Sequence, residues 1–400
     1  MGGFKMIYSK NLISKKIALI FSLLFAIQSN ALTSDEFAEF VKQQESSYTQ
    51  YKDKITQEFE SYKKAHNEAF KEFSKELGKK WPKESGKPVV TTKHKWVEYD
   101  KDLNSRKSVD FEKKEIKLDV IAKSPEEARK KLKSMLSKLL VLKVKEAYRN
   151  DILENKIAKK LKKKRPVVRS NQSIIADMIN RQEKQRLKDK LAKQKLVVVK
   201  HNDKFIYKAN VKLPSNSIQK KAKQFKNDVV KNANKQKIPA SLVYAIMHSE
   251  SSFNPMARSH IPAFGLMQIV PRSAGIDSYK YLYGKKKVLS SGYLYDSKKN
   301  ITIGSAYLHI LYYRYLKKIK DPQSRLYCAI AAYNTGAGNV AKAFIGSTNI
   351  GRAAKTINKM SSDKVYKTLM RKLPYNETKH YLKKVNNRVS IYNKLLNTTL

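Results

Sequence analysis

One cysteine, Cys328, occurs in 400 residues. An intramolecular disulfide is therefore excluded, and so is a thiol cluster for a metal. Cys328 stands in "RLYCAIAAYN", an apolar helical stretch where a small buried core residue is expected. Acidic residues are scarce: 34 Asp+Glu stand against 84 Lys+Arg, a formal net charge of +50. Such a surface attracts polyanions. Nucleic acid, anionic lipid and an acidic cell-wall polymer all fit it, and a general habit of lysine usage accounts for part of the excess equally well. Long apolar runs are missing beyond the leader: none reaches about 18 residues, so no later segment is expected to span a bilayer. No internal repeat is evident.

What is present at the N-terminus sets the compartment. Lys5, Lys10, Lys15 and Lys16 precede the apolar run "IALIFSLLFAI" (Ile17–Ile27), and "SNA" (Ser29–Ala31) offers a small residue for cleavage. This is the layout of a secretory signal peptide over residues 1–31. The run is short for a bilayer span, although an uncleaved anchor is the alternative. No cysteine lies near residue 31, so the acyl anchor of secreted bacterial lipoproteins is not expected. A periplasmic protein follows, with its basic surface available for peripheral association with the outer membrane or the wall.

Residues 32–213 read as a smaller α+β domain. A long helix is predicted over about 34–78, with Thr33 and Glu36 as a capping box. Tyr48, Tyr51, Ile55, Phe59, Tyr62, Ala69, Phe73 and Leu77 recur on one face, and core packing is the preferred explanation. "WPKESGKP" (Trp81–Pro88) ends that helix. Ile116, Leu118 and Val120 alternate as in a strand. Ser124, Pro125, Glu126 and Glu127 open a helix predicted to run to about Arg149. Lys and Arg dominate 151–195, which reads as an exposed helix pair or tether, and 195–213 reads as a β-hairpin.

From Pro214 to the end the texture is short helices joined by Gly/Pro loops, a mainly α domain over 214–400. Helices are predicted over 300–318 with Asn300 as N-cap, over 322–334, and from about Asn376, where Tyr381, Leu382, Val385, Val389 and Tyr392 share a side.

Glu250 ends the apolar helix "PASLVYAIMHSE". Apolar surroundings and the negative helix end both disfavour its ionised form, so it should stay protonated near neutral pH, as a general acid must. A surface Glu that ends a helix is the plain alternative. The motifs that follow favour chemistry. "GLMQIVP" (Gly265–Pro271) and "AAYNTGAGNV" (Ala331–Val340) combine Gly, which permits close backbone approach, with amides at Gln268 and Asn334 and apolar faces at Met267 and Tyr333; Tyr381 adds another. Amides beside apolar faces suit N-acetylated sugars.

The order "ESSFNP" (250–255), "GLMQIVP", "AAYNTGAG" and "ETKHYLKKV" (377–385) resembles the catalytic domain of family 23 lytic transglycosylases, which are goose-lysozyme-like. "SLVYAIMHSESSFNP" and "GLMQIVPRSAG" look most like a branch that carries an extra domain ahead of the catalytic one. The fold this resemblance implies is mainly α: a lysozyme-like α+β catalytic domain preceded by the smaller α+β N-terminal domain. The activity it implies is cleavage of the β-1,4 bond between N-acetylmuramic acid and N-acetylglucosamine. Glu250 would protonate the leaving oxygen and then take the proton of the muramyl C6 hydroxyl, which attacks C1 and leaves a 1,6-anhydro product. Ser259 would hydrogen-bond near the acid or the sugar, Met267 and Gln268 would line the muramyl subsites, Tyr333 and Asn334 would meet N-acetyl and hydroxyl groups, and Tyr381 would stand near Glu250. Loop capping by Ser259 and plain helix packing by Tyr381 are the competing roles. "SHIPAF" (Ser259–Phe264) departs from the small-residue turn usual at that point. The partner implied is the peptidoglycan glycan strand, with no nucleic acid, no metal, no cofactor and a monomeric enzyme.

One acid is enough if the substrate brings its own nucleophile. The only later acids are Asp277, Asp296, Asp321, Asp363 and Glu377, of which Glu377 opens the last helix in a capping role. A muramidase using a spatially close second acid, and a non-catalytic wall-binding protein, remain the alternatives.

Overall fold

The computed structural model describes residues 34–260 and 262–397. The leader and Thr33 lie outside the described residues, as do the side chains of Tyr48, Tyr51 and Ile55. A helix runs Ser34–Gly78, and residues Glu58–Leu400 form one compact unit. In the part of the helix within that unit, Phe59, Ala69, Phe73 and Leu77 are buried, as the spacing predicts.

A five-stranded antiparallel sheet comes next: β1 (Lys95–Tyr99), β2 (Ser105–Asp110), β3 (Glu115–Ile121), β4 (Val197–His201) and β5 (Lys204–Lys212), in the order β1-β2-β3-β5-β4. β3 is central, and Ile116, Leu118 and Val120 are all buried. Asn202 and Asp203 both have positive φ, 45° and 57°, which is the turn that matches the twist of a two-residue hairpin between β4 and β5. The helix Pro125–Leu139, capped by Ser124 on Glu127 N–H, lays Ala128, Leu132, Leu136 and Leu139 on the core.

Two expectations for this region are corrected. The helix opened by Pro125 stops at Leu139 instead of reaching Arg149, and separate helices follow at Val144–Asn150 and Ile152–Lys160. Leu140 and Leu142 turn into the core between them, so tertiary burial overrides the helical pattern. The basic stretch 151–195 does contain a pair of helices, Ile152–Lys160 and Arg181–Lys193, but it is not a tether and is not exposed all round. Leu153, Ile157, Val168, Ile174, Ile175, Met178, Leu187 and Leu191 are buried along it. Its lysines cover the outside of an anchored segment.

The remaining helices include Ala240–Ser251, Ser297–His309, Pro322–Thr335 and Asn376–Asn397. Ala240–Ser251 is buried almost all round, not on one face, and is packed against Asn376–Asn397. Cys328 is fully buried, and Tyr381, Leu382, Val385 and Tyr392 point inward from the last helix. Asn300 is not a cap. Asp296 takes that place, accepting from Lys299 N at 3.1 Å, and the helix starts at Ser297. One apolar cluster is continuous from Trp96 and the sheet through the helices to Tyr392.

Candidate active site

Glu250 is the penultimate residue of Ala240–Ser251. The chain leaves that helix through two left-handed non-glycine residues, Ser252 (φ 50°) and Phe253 (φ 62°). Neighbours hold this strained exit in place. Ser251 Oγ donates to Met247 O at 2.9 Å and to Leu266 O at 2.8 Å, Phe253 is fully buried, and Asn254 Oδ1 accepts from Met256 N at 3.0 Å.

The "GLMQ" segment is a tight turn closed by paired Phe264 and Ile269 hydrogen bonds, each 3.1 Å. Gly265 has φ +75°, and a Cβ there would meet Asn300 Nδ2 and Leu294 O at 2.4 Å, so no other residue fits. Asn300 clamps the turn from the neighbouring helix. Its Nδ2 donates to Phe264 O and Leu294 O, each at 2.8 Å, and its Oδ1 accepts from Met267 N at 2.8 Å. Asn300 is thus a site-building residue that the sequence pattern assigned to another task.

Three of the expected residues meet. Glu250 is 5% exposed, and the hydroxyls of Tyr333 and Tyr381 lie near enough for its charge to act on both. Burial first, and Glu250 second, push both phenols well above the ordinary tyrosine value, so both stay neutral donors. Tyr333 OH donates to Met267 O at 2.8 Å. The Tyr381 hydroxyl faces the Glu250 carboxyl without a fully formed hydrogen bond. Asn334 Oδ1 accepts from Thr378 Oγ1 at 2.7 Å, which ties the "AAYN" helix to the last helix.

Burial raises the Glu250 carboxyl above its ordinary value. Lys93, next in size, pulls the other way, followed by Tyr381. Lys93 Nζ stands 3.8 Å from Glu250 Oε2 and 3.9 Å from Glu377 Oε1. Nothing in the local pattern "TTKHKW" signals this role. It depends on the fold bringing the segment before β1 across the end of the Glu250 helix. Glu377 does open the last helix as expected, but it also shares a cation with Glu250.

The other expected residues stand as follows. Gln268, with φ 47°, is 7% exposed; its Nε2 donates to Gly265 O at 3.0 Å, and its buried Oε1 has no partner among the described residues. Ser259 is half-buried, and its N–H donates to Ala263 O at 3.2 Å. Met267 is fully buried against Gly304, whose added Cβ would strike the Met267 sulfur at 2.2 Å. Its side chain therefore supports the floor of the turn, and its backbone oxygen positions Tyr333. Arg258, just before Ser259, is buried with Glu154 at 3.0 Å and Asp151 at 3.6 Å. Among the described residues, no group of three or more His, Cys, Asp or Glu side chains is arranged to hold a metal ion.

Residues 227–353 match the family model "Transglycosylase SLT domain". This stretch is similar to transglycosylase SLT domains. Ahead of it, residues 52–224 match the N-terminal domain model of membrane-bound lytic murein transglycosylase C. Relatives bearing that same name include one from Serratia proteamaculans, 43% identical over 189 residues, which are 47% of this chain and 52% of the relative. Another, from Salmonella arizonae, is 40% identical over 206 residues, 52% of this chain and 56% of the relative. The chain spans about half the length of these relatives in the matched region. The 70 kDa soluble lytic transglycosylase of Escherichia coli aligns over 67% of this chain and 43% of that chain, at 18% identity and a TM-score of 0.34. The matched stretch begins before the Glu250 helix and runs past Asn334, so it contains the exit loop, the "GLMQ" turn and the "AAYN" helix. Tyr381 lies beyond its matched range, on the last helix.

Proposed function

We propose that this protein is a peptidoglycan lytic transglycosylase of the periplasm. It cleaves the β-1,4 bond between N-acetylmuramic acid and N-acetylglucosamine and leaves a 1,6-anhydromuramyl end. The observation that carries this reading is a buried carboxyl, Glu250, within the residues that match the SLT model, close to two neutral tyrosine hydroxyls, Tyr333 of the matched range and Tyr381 of the last helix. The printed names of the relatives, membrane-bound lytic murein transglycosylase C, point to the same substrate and to the cell envelope.

Burial raises the Glu250 carboxyl above its ordinary value and so favours the protonated form in the resting enzyme. Glu250 gives its proton to the glycosidic oxygen as the C1–O bond breaks. The carboxylate so formed then accepts the proton of the muramyl C6 hydroxyl as that oxygen bonds to C1, which returns Glu250 to its starting state. Atoms balance without water. Tyr381, facing the carboxyl, is placed to donate to the charge that forms on it. The unpartnered Gln268 Oε1 suits an acetamido N–H, and Asn334 and Ser259 suit sugar hydroxyls. Met267 contributes from beneath.

A second reading has its own observation. Glu250 and Glu377 flank one ammonium at 3.8 and 3.9 Å, so they are separated by no more than about twice that. That is within reach of the roughly 6.5–9.5 Å spacing of an inverting hydrolase. Lys93 pairs with Glu377, the carboxylate that such an enzyme needs free to activate its water, and this favours the transglycosylase. Mass spectrometry of products from purified sacculi decides. Muropeptides lighter than the reducing forms by one water, about 18 Da, support the proposal, and reducing ends overturn it.

A further inference from the structure

We infer that Lys93, delivered by the N-terminal domain, is a positioning residue that sets the pH range over which Glu250 works. The inference rests on the reading of Glu250 as proton donor.

The placement is built. Thr91 is fixed by exchange with Val97, accepting from its N at 3.0 Å and donating to its O at 3.1 Å. Thr92 O accepts from Arg258 N at 3.4 Å, and Lys93 O accepts from Asn254 Nδ2 at 3.3 Å. His94 Nδ1 meets Ser252 Oγ at 3.0 Å, and His94 O accepts from Phe111 N at 2.9 Å. The carbonyls of Thr92 and Lys93 and the His94 side chain therefore hold this segment against the loop that leaves the Glu250 helix. From there the side chain reaches 3.8 Å from Glu250, which is 6% exposed, while Lys93 itself is 34% exposed.

The charged and titratable groups facing Glu250 can be taken element by element. The last helix brings Tyr381, Glu377 and Lys384, and the "AAYN" helix brings Tyr333. Lys384 is drawn away to Glu112, 3.1 Å from it in the turn between β2 and β3. On Glu250's own helix, His248 is kept neutral by burial and bonds Tyr392 OH at 3.0 Å, and Ser249 accepts from Arg388 at 2.9 Å. Among the described residues, Lys93 is the cation in ion-pair distance of Glu250. A cation there favours the carboxylate that must act as base in the second step, and it opposes the burial that keeps the acid protonated for the first. Neither requirement can be met alone, so the position of the balance is functional.

The test is the alkaline limb of kcat/KM on peptidoglycan for the full chain, its Lys93→Met and Lys93→Arg variants and Glu377→Gln. Activity needs protonated Glu250, so the limb falls as pH rises through the Glu250 titration. Removing the cation is expected to move the limb up by roughly one pH unit, with Arg restoring it. Glu377→Gln is expected to move it down, because that charge opposes ionisation of Glu250. A limb that stays put in Lys93→Met while products remain anhydromuramyl overturns the Lys93 assignment alone, as does a uniform loss at every pH that Arg fails to rescue. Wild-type release of reducing ends overturns the transglycosylase reading and leaves the limb comparison valid for Glu250 as acid.

Discussion

The Arg258 guanidinium, one residue before Ser259 in the stretch that matches the SLT model, stands 3.0 Å from the Glu154 carboxylate supplied by the N-terminal domain. The side chains are 5% and 4% exposed, and Ser291 Oγ donates to the other Glu154 oxygen at 3.0 Å. The active-site loop thus depends on a buried ion pair with a residue far away in sequence. Arg258→Met leaves Glu154 buried without its partner and is expected to cost about 3–5 kcal/mol in urea unfolding. The double variant with Glu154→Gln should recover part of that loss. A single variant as stable as wild type would show that the pair does not anchor the loop.

Glu250→Gln keeps the shape of the site but cannot donate a proton. Turnover should fall by roughly 10³-fold while the fold persists. Stability gives a second reading. The folded carboxyl titrates above its ordinary value of 4.5, so its favourable contribution is complete below that pH and is lost as pH rises through the raised value. Glutamine does not titrate. The variant's melting temperature should therefore gain on wild type as pH rises from 4.5 toward neutrality. A constant difference across that range would mean that Glu250 is not held protonated.

Asn300 makes three hydrogen bonds of 2.8 Å to the backbone of the "GLMQ" turn and its surroundings. Asn300→Ala leaves buried backbone groups unpaired and is expected to destabilise by about 3 kcal/mol. Because the turn carries Gln268 and the carbonyl that holds Tyr333, kcat should fall as well. Normal kcat in a destabilised variant would separate the clamp from the chemistry.

Much of this was legible in the sequence, because local chemistry was enough. The periodic face of the first long helix, the Ser124 cap, the Asn202–Asp203 hairpin and the end of the Glu250 helix all declare themselves within a few residues. What stayed hidden depended on distance or competition. Asn300 sits where a cap would, but Asp296 captures that role and frees Asn300 for the turn. Met267 looks like a subsite wall, yet Gly304 opens a slot that swallows it. Lysines at 151–195 suggest an exposed helix pair or a tether, and the two helices form, but the apolar residues that anchor them are sparse and follow no regular period. Lys93 and Glu154 act across the boundary between the two matched domains, and no local spacing encodes such a contact.

In the proposed reaction the substrate's own C6 hydroxyl, not water, attacks C1 under a single acid, Glu250. Digestion of sacculi in ¹⁸O-labelled water, followed by mass spectrometry of the new muramyl ends, tests it most directly. Unlabelled anhydromuramyl products are expected, and Glu250→Gln should not release them. An ¹⁸O atom at C1 of a reducing end would contradict it and would make Glu377 the residue to examine as the base that activates water.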